Sequence, residues 1–197
     1  MKRRPHDQST QGGMNRRDFV RLGAAASIGA GMAAMGRHAF AAVPEGLGPV
    51  PEMPFAAPPI ENVRIGYVGV GGMGTGHVRN LLNIEGCQIT AVCDIVEEKV
   101  ANVQKMVEEK GFPTPAGYSR GELDFQRMCA EEELDLVYTA TPWEWHVPVC
   151  VAALENGKHA ATEVPAAYTI EDCWKLVEHA EKFKRHCVMM ENCCYGR

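Results

Sequence analysis

The sequence predicts an α/β fold built on a doubly wound parallel sheet, and three observations predict it. From residue 61 onward, apolar runs of strand length alternate with amphipathic runs of helix length. The strand-like runs are almost continuously apolar, as strands covered on both faces are. A glycine cluster, Gly69-Val70-Gly71-Gly72-Met73-Gly74, stands between the first of those strands and the first helix.

The first strand covers Val63 to Val68 and runs into the glycine cluster; a helix pattern follows over His77 to Asn83. The second strand, Gln88 to Cys93, ends in Asp94, twenty residues beyond Gly74. Strand, glycines, helix and acidic residue at this spacing form the fingerprint of a Rossmann-type dinucleotide-binding βαβ unit. Gly69 permits the tight turn, Gly71 lets a pyrophosphate approach the backbone, and Gly74 lets helix pack on strand. The helix N-terminus offers free N–H groups and a positive dipole end to the phosphates. A purely structural glycine turn is the competing reading, and the combined setting disfavours it. Asp94 is placed to accept bonds from the adenosine ribose and to repel a 2′-phosphate, which points to NAD over NADP. A helix N-cap role for Asp94 is partly compatible, with Glu97 three residues on.

The next helix spans Glu97 to Lys110, with Val100, Val103, Met106 and Val107 on one face. Residues 111–119 are rich in Pro and Gly, with a short third strand near Tyr118. Asp124 to Ala130 reads as a short helix and Leu134 to Ala140 as a buried strand. A helix over Val147 to Asn156 has Pro148 in its first turn and Gly157 past its end. His159 to Glu163 is a fifth strand. Thr169-Ile170-Glu171-Asp172 opens a long helix with a capping-box-like start, Arg185 closes it, and Cys187 to Glu191 is the sixth strand.

In such a sheet the ligand lies at the carboxyl ends of the strands. Asp94 holds one of these ends. Another carries Thr141-Pro142-Trp143-Glu144-Trp145-His146. Trp143 and Trp145, flanking Glu144, suit one wall of a nicotinamide or sugar pocket, or else a plug beneath the neighbouring helix. His146 is a candidate acid/base or ribose donor, although a lone His is more often structural. Glu163-Val164-Pro165 ends the fifth strand, and Glu191-Asn192-Cys193-Cys194 ends the sixth.

Composition sets the broad class. The chain has 197 residues, 46% hydrophobic and 23% charged, with a net charge of −5. That balance leaves no electrostatic footprint for nucleic acid or an anionic membrane, and no zinc-type Cys/His spacing occurs. Arg16-Arg17, a weakly apolar Leu22 to Met35 stretch and Ala39-Phe40-Ala41 resemble a twin-arginine (Tat) signal over residues 1–42. This predicts export to the periplasm through the Tat machinery, without a stable membrane span. Six prolines over residues 43–60 make an extended linker. Most of the eight cysteines sit in apolar runs, so Cys93, Cys150 and Cys187 read as small buried hydrophobes. Cys193-Cys194 reads as tight packing beside the cofactor, without redox chemistry.

The string from Val63 to Arg197 resembles the N-terminal half of the Gfo/Idh/MocA superfamily. Members usually carry Glu-Lys-Pro after the fifth strand, with the Lys beside the hydride-transfer site. Here the Lys position is Val164, which cannot transfer a proton. Thr141 through His146, Glu163-Val164 and Glu191-Asn192 resemble in particular glycoside hydrolase family 109, NAD-dependent α-N-acetylgalactosaminidases. That resemblance implies NAD contacts at Gly72 and Met73, at Asp94, at Trp143, Glu144, Trp145 and His146, at Glu163 and Val164, and at Asn192. Gly72-Met73 departs from the bulkier residue and Arg that those hydrolases often show. The mechanism implied is the exception to paired-carboxylate chemistry: transient oxidation at sugar C3, elimination across C1–C2, addition of water and return of the hydride. The resemblance further implies a C-terminal substrate domain, absent here, that binds the carbohydrate, and a homo-oligomer in the full-length form. The chain is thus expected to be an inactive fragment. An exported NAD-dependent sugar dehydrogenase and a non-catalytic nucleotide-binding module are the alternatives.

Overall fold

Six parallel strands in the order β3-β2-β1-β4-β5-β6 form the sheet of the computed structural model, which describes residues 57–191. The expected signal segment, residues 43–56 of the linker, Asn192 and the Cys193-Cys194 pair lie outside the described residues. In chain order the elements are β1 (Val63–Val68), α1 (Gly72–Leu81), β2 (Cys87–Cys93), α2 (Glu97–Glu109), β3 (Ala116–Tyr118) and α3 (Asp124–Glu131). There follow β4 (Leu136–Thr139), a single 3₁₀ turn (Trp143–Trp145), α4 (His146–Glu155), β5 (His159–Thr162), α5 (Ile170–Phe183) and β6 (Cys187–Met189). The direction of travel reverses between β1 and β4, which creates a crevice at their carboxyl ends.

Helices cover both faces of the sheet, and each face has its own core. Tyr67, Val92 and Tyr138 pack with Val78 of α1 and Val103 and Val107 of α2. Val68, Val137 and Ala160 pack on the other face with Met128 of α3, Leu154 of α4 and Leu176 of α5. The α4 segment is apolar almost all round because it is buried among its neighbours. One irregularity breaks the strand alternation. Ile65 pairs with Ile89 while Gly66 pairs with Ala91, so Thr90 is an extra residue and Ile89 and Val92 face the same core.

Helix ends follow local chemistry. Thr169 Oγ1 accepts the Asp172 N–H at 3.1 Å and opens α5. Gly157, at φ +72°, ends α4 in the left-handed conformation, with its N–H on the Leu154 carbonyl. At the far end of α5 the left-handed residue is Lys184, and Arg185 donates to the carbonyls of both Gly157 and Lys184, tying the two helix ends together. The first helix departs most from expectation: α1 begins at Gly72, five residues before His77. Glycine's low helix propensity hides this turn in the sequence, and tertiary packing supplies it.

Cys93 and Cys150 are buried and Cys187 lies half-buried beside Cys150; burial pushes the Cys93 and Cys129 thiols up to about 12.

Two ion pairs fix carboxylates, one where β1 meets the entry of β4 and one at the start of α3. Arg64 sends its backbone N–H and its guanidinium to Asp135, joining β1 to the entry of β4. Asp124 is clamped by Arg127 and the Arg120 N–H. Hydrogen bonds from these arginines hold both carboxyls below the usual carboxylate range. A depressed folded pKa contributes stability that is present above the unfolded value of about 4 and is lost as pH falls through the folded value. Urea midpoints should therefore hold from pH 7 to 5 and fall below about pH 4. The Asp124→Asn, Asp135→Asn double variant should be less stable at pH 7 and show a shallower acid limb; an acid limb identical to wild type would contradict this origin.

Candidate nucleotide-binding site

The glycine turn is built by contacts that no Cβ could share. Gly69 adopts φ +84°, donates its N–H to the Cys93 carbonyl at 2.8 Å, and passes so close to β4's exit that a Cβ would stand 2.8 Å from Thr141 N. A Cβ on Gly74 would stand 1.9 Å from the Gly69 carbonyl oxygen. Gly71 and Gly72 are different: a Cβ on either would meet no heavy atom within 4 Å. The backbone between the two tight contacts therefore faces open space. Thr75 N–H reaches the Gly71 carbonyl and Thr75 Oγ1 the Val70 carbonyl, both at 2.9 Å, which fixes the first turn of α1. That turn has no side-chain cap and no acidic residue, so its leading N–H groups are left for an anion. Met73 is exposed on this turn.

Asp94 closes the turn from the β2 side. Its Oδ2 accepts the Val70 N–H at 2.9 Å and its Oδ1 the Val96 N–H at 3.0 Å. The second bond is an Asx turn two residues ahead of α2, whose N-cap position is Val96, so Asp94 does not cap the helix. Lys99 Nζ lies 3.8 Å from Oδ1. Each carboxylate oxygen retains further acceptor capacity, and Asp94 lines a cleft of about 640 Å³, mouth included, with Lys99, Phe125, Pro142 and Trp145.

The two tryptophans have separate roles in the fold. Trp145 turns inward, edge-on to Phe125 with centroids 6.0 Å apart, and walls the cleft. Trp143 is 55% exposed and tilts against Tyr168 at 5.8 Å; Glu144 is exposed between them. His146 is fully buried, with Nδ1 2.7 Å from the Pro165 carbonyl and Nε2 3.1 Å from the Thr141 carbonyl. It stitches the loop after β4 to the loop after β5, where Val164-Pro165 is a cis peptide. Both ring nitrogens face backbone carbonyls, of which a neutral ring donates to one, and full burial keeps the ring inside the fold.

Glu163 ends β5 at the crevice and belongs to a cluster that sequence reasoning missed. Its Oε1 accepts the Tyr138 hydroxyl at 3.1 Å and lies 3.3 Å from His77 Nε2; His77 Nδ1 is 2.8 Å from the Tyr67 hydroxyl. Burial raises both tyrosines above their ordinary range and keeps them as hydroxyls. These residues come from β1, α1, β4 and β5, so no spacing in the chain announces them. A Tyr in the middle of each of two buried strands was the available signal. No group of side chains among the described residues is suited to a metal ion.

An open backbone cradle at a helix N-terminus, with a carboxylate at the end of the adjacent strand, defines a dinucleotide-binding domain. Residues 63–192 match the Gfo/Idh/MocA family model, described as an oxidoreductase family with an NAD-binding Rossmann fold, and the chain belongs to that family. Over 140 residues it is 46% identical to an alpha-N-acetylgalactosaminidase of Bacteroides fragilis, covering 71% of this chain and 33% of that protein. A glycosyl hydrolase family 109 protein of Saccharopolyspora erythraea is 39% identical over 197 residues, 97% of this chain and 42% of the relative. The chain thus spans about a third to two fifths of the length of these curated relatives. Among solved structures, the WlbA dehydrogenase of Chromobacterium violaceum in complex with NADH and UDP-GlcNAcA aligns with a TM-score of 0.58 at 28% identity, over 68% of this chain and 37% of that one. An NAD-binding protein of Listeria innocua aligns at 0.54 and 29%, over 66% and 35%. The cofactor of this domain is NAD.

The two kinds of glycine should separate in mutagenesis. Gly74→Ala should destabilise the domain by about 2 kcal/mol or more through overpacking against the Gly69 carbonyl. Gly71→Ala should change stability by less than about 0.5 kcal/mol yet weaken NAD binding, measured by calorimetric titration. Equal loss of stability in the two variants, or an unaltered NAD affinity in Gly71→Ala, would contradict the assignment.

Proposed function

We propose that this chain is the NAD-binding half of an exported glycosidase of the glycoside hydrolase family 109 type, acting on an α-linked N-acetylgalactosamine or a close relative. One observation carries the reading: 46% identity to the Bacteroides fragilis alpha-N-acetylgalactosaminidase, together with Val164 where a proton-transferring Lys would serve a dehydrogenase.

The residues present fit the cofactor. The first turn of α1, opened by Gly71 and Gly72, would hold the pyrophosphate, and Asp94 the adenosine ribose. Asp94 is the end of β2 in one half of the sheet; Glu163, at the end of β5, holds the matching place in the other half. By that correspondence Glu163 serves the nicotinamide side, with Val164 next to it in the chain. Bound NAD supplies a transient oxidation at sugar C3 that acidifies the C2 proton and permits elimination across C1–C2. What this chain contributes is binding, orientation and exclusion of water by the Trp145 side of the cleft. His146 holds the two loops in place and passes no proton. The acids and bases for the sugar are assigned to a C-terminal region of the length that the relatives have, and the working form to a homo-oligomer. Arg16-Arg17 and the segment after it support export by the Tat route.

A second reading, an NAD-dependent sugar dehydrogenase, is supported by the likeness to the WlbA dehydrogenase complex with NADH and UDP-GlcNAcA. The two are told apart by one experiment. The domain joined to such a C-terminal region is given nitrophenyl α-N-acetylgalactosaminide in deuterated water without added NAD. The glycosidase reading expects nitrophenol release with deuterium at C2 of the sugar. Absence of release, with NADH accumulating from free sugars and added NAD, would establish the dehydrogenase instead.

A further inference from the structure

A polar chain crosses the interior between β1 and the carboxyl end of β5, and the adenosine half of the site makes no use of it. It starts at the Tyr67 hydroxyl, whose residue is fully buried, passes through the His77 ring, and ends on Glu163 Oε1, which Tyr138 also reaches. The direction of each bond follows from its members. A carboxylate only accepts, so the Nε2–H tautomer of His77 is the one that turns its hydrogen toward Glu163 and leaves Nδ1 to accept from the Tyr67 hydroxyl. The ring is held flat as well: it stacks on Tyr138 at 5.5 Å and 20°, and Tyr138 packs on Tyr67 at 5.0 Å.

The Tyr138 hydroxyl donates to Oε1 of Glu163, and His77 Nε2 stands 3.3 Å from the same oxygen. Both contacts restrain the carboxylate through that one oxygen. Packing alone would be served at lower cost by apolar side chains, because a buried polar network is favourable only when every member is satisfied. The placement of His77 is informative too. It sits on α1, the helix whose N-terminal turn offers the anion cradle, so Glu163 is registered to the pyrophosphate position through a rigid helix.

We propose that His77, its tautomer set by Tyr67, is a positioning residue that holds the Glu163 carboxylate toward the nicotinamide-side ribose; this rests on the NAD-binding arrangement given above. The hydroxyls of that ribose donate to Glu163 as those of the adenosine ribose donate to Asp94. One helix then serves both the phosphates and the second ribose.

The test compares NAD with ADP, which lacks the second ribose and the nicotinamide, on the 197-residue chain. His77→Phe keeps a stacked ring without ring nitrogens. It should bind NAD about tenfold more weakly, the effect of one lost bond to a charged group, with ADP affinity within about twofold of wild type. His77→Gln, which restores a donor toward Glu163, should recover part of the NAD affinity. Long-range proton–nitrogen spectra should show the Nε2–H tautomer of His77, mixed with the Nδ1–H form in Tyr67→Phe. Where His77→Phe does not fold, Tyr67→Phe preserves the core shape and carries the same NAD-to-ADP comparison. Equal weakening of NAD and ADP, an unchanged NAD affinity, or an Nδ1–H tautomer in wild type would overturn the proposal. Failure of the wild-type chain to bind either nucleotide would overturn the underlying arrangement, and the proposal with it.

Discussion

The first turn of α1 lies directly against the Gly69 carbonyl, and the geometry of the crevice descends from that approach. With a Cβ at residue 74 only 1.9 Å from that oxygen, the helix would have to withdraw from the strand. Withdrawal would move the open backbone at Gly71 and Gly72 away from the end of β1 and break the bond from Val70 N–H to Asp94. The anion cradle and the ribose carboxylate are therefore one structure. Asp94 organises the glycine turn by accepting two backbone N–H groups while lining the cleft. Such preorganisation lowers the ordering cost of binding a flexible dinucleotide.

The other half of the sheet uses the same logic with different parts. Glu163 at the end of β5 is held by side chains, Tyr138 and His77, where Asp94 at the end of β2 is held by backbone. His146 performs the corresponding work on the loops, joining the carbonyls of Thr141 and Pro165 across the crevice floor. Full burial between the two loops makes it a fixed joint. Trp143 and Tyr168, from the loops after β4 and β5, form an exposed aromatic pair.

Much of this was legible in the sequence because the signals are local. Alternation of strand and helix patterns placed five of the six strands to within about two residues, and the third only as a position near Tyr118. The glycines and Asp94 announced the cradle because each answers a backbone requirement that few other residues meet. The remainder depended on distance in space. The start of α1 at Gly72 was hidden because glycine is a poor helix former and packing overrides that preference. The extra residue Thr90 in β2 is visible only as a change in pairing. Tyr67, His77, Tyr138 and Glu163 meet from four elements, and the roles of Trp145 and Trp143 separate only once the 3₁₀ turn has pointed one inward and the other out. His146 looked like a candidate for chemistry because a loop sequence says nothing about which carbonyls will face a ring.

The central claim is that NAD lies across the carboxyl ends of β1, β2, β4 and β5, with its pyrophosphate at the start of α1. The most direct measurement is an amide proton–nitrogen shift map of the chain during titration with NAD. The account expects the large saturable shifts at Val70 to Thr75, at Asp94 to Val96, and in the Thr141 to Trp145 loop, with a smaller group around Glu163. Large shifts confined to the opposite edge of the sheet, around Asp135, Gly157 and His159, with the glycine turn unmoved, would contradict it.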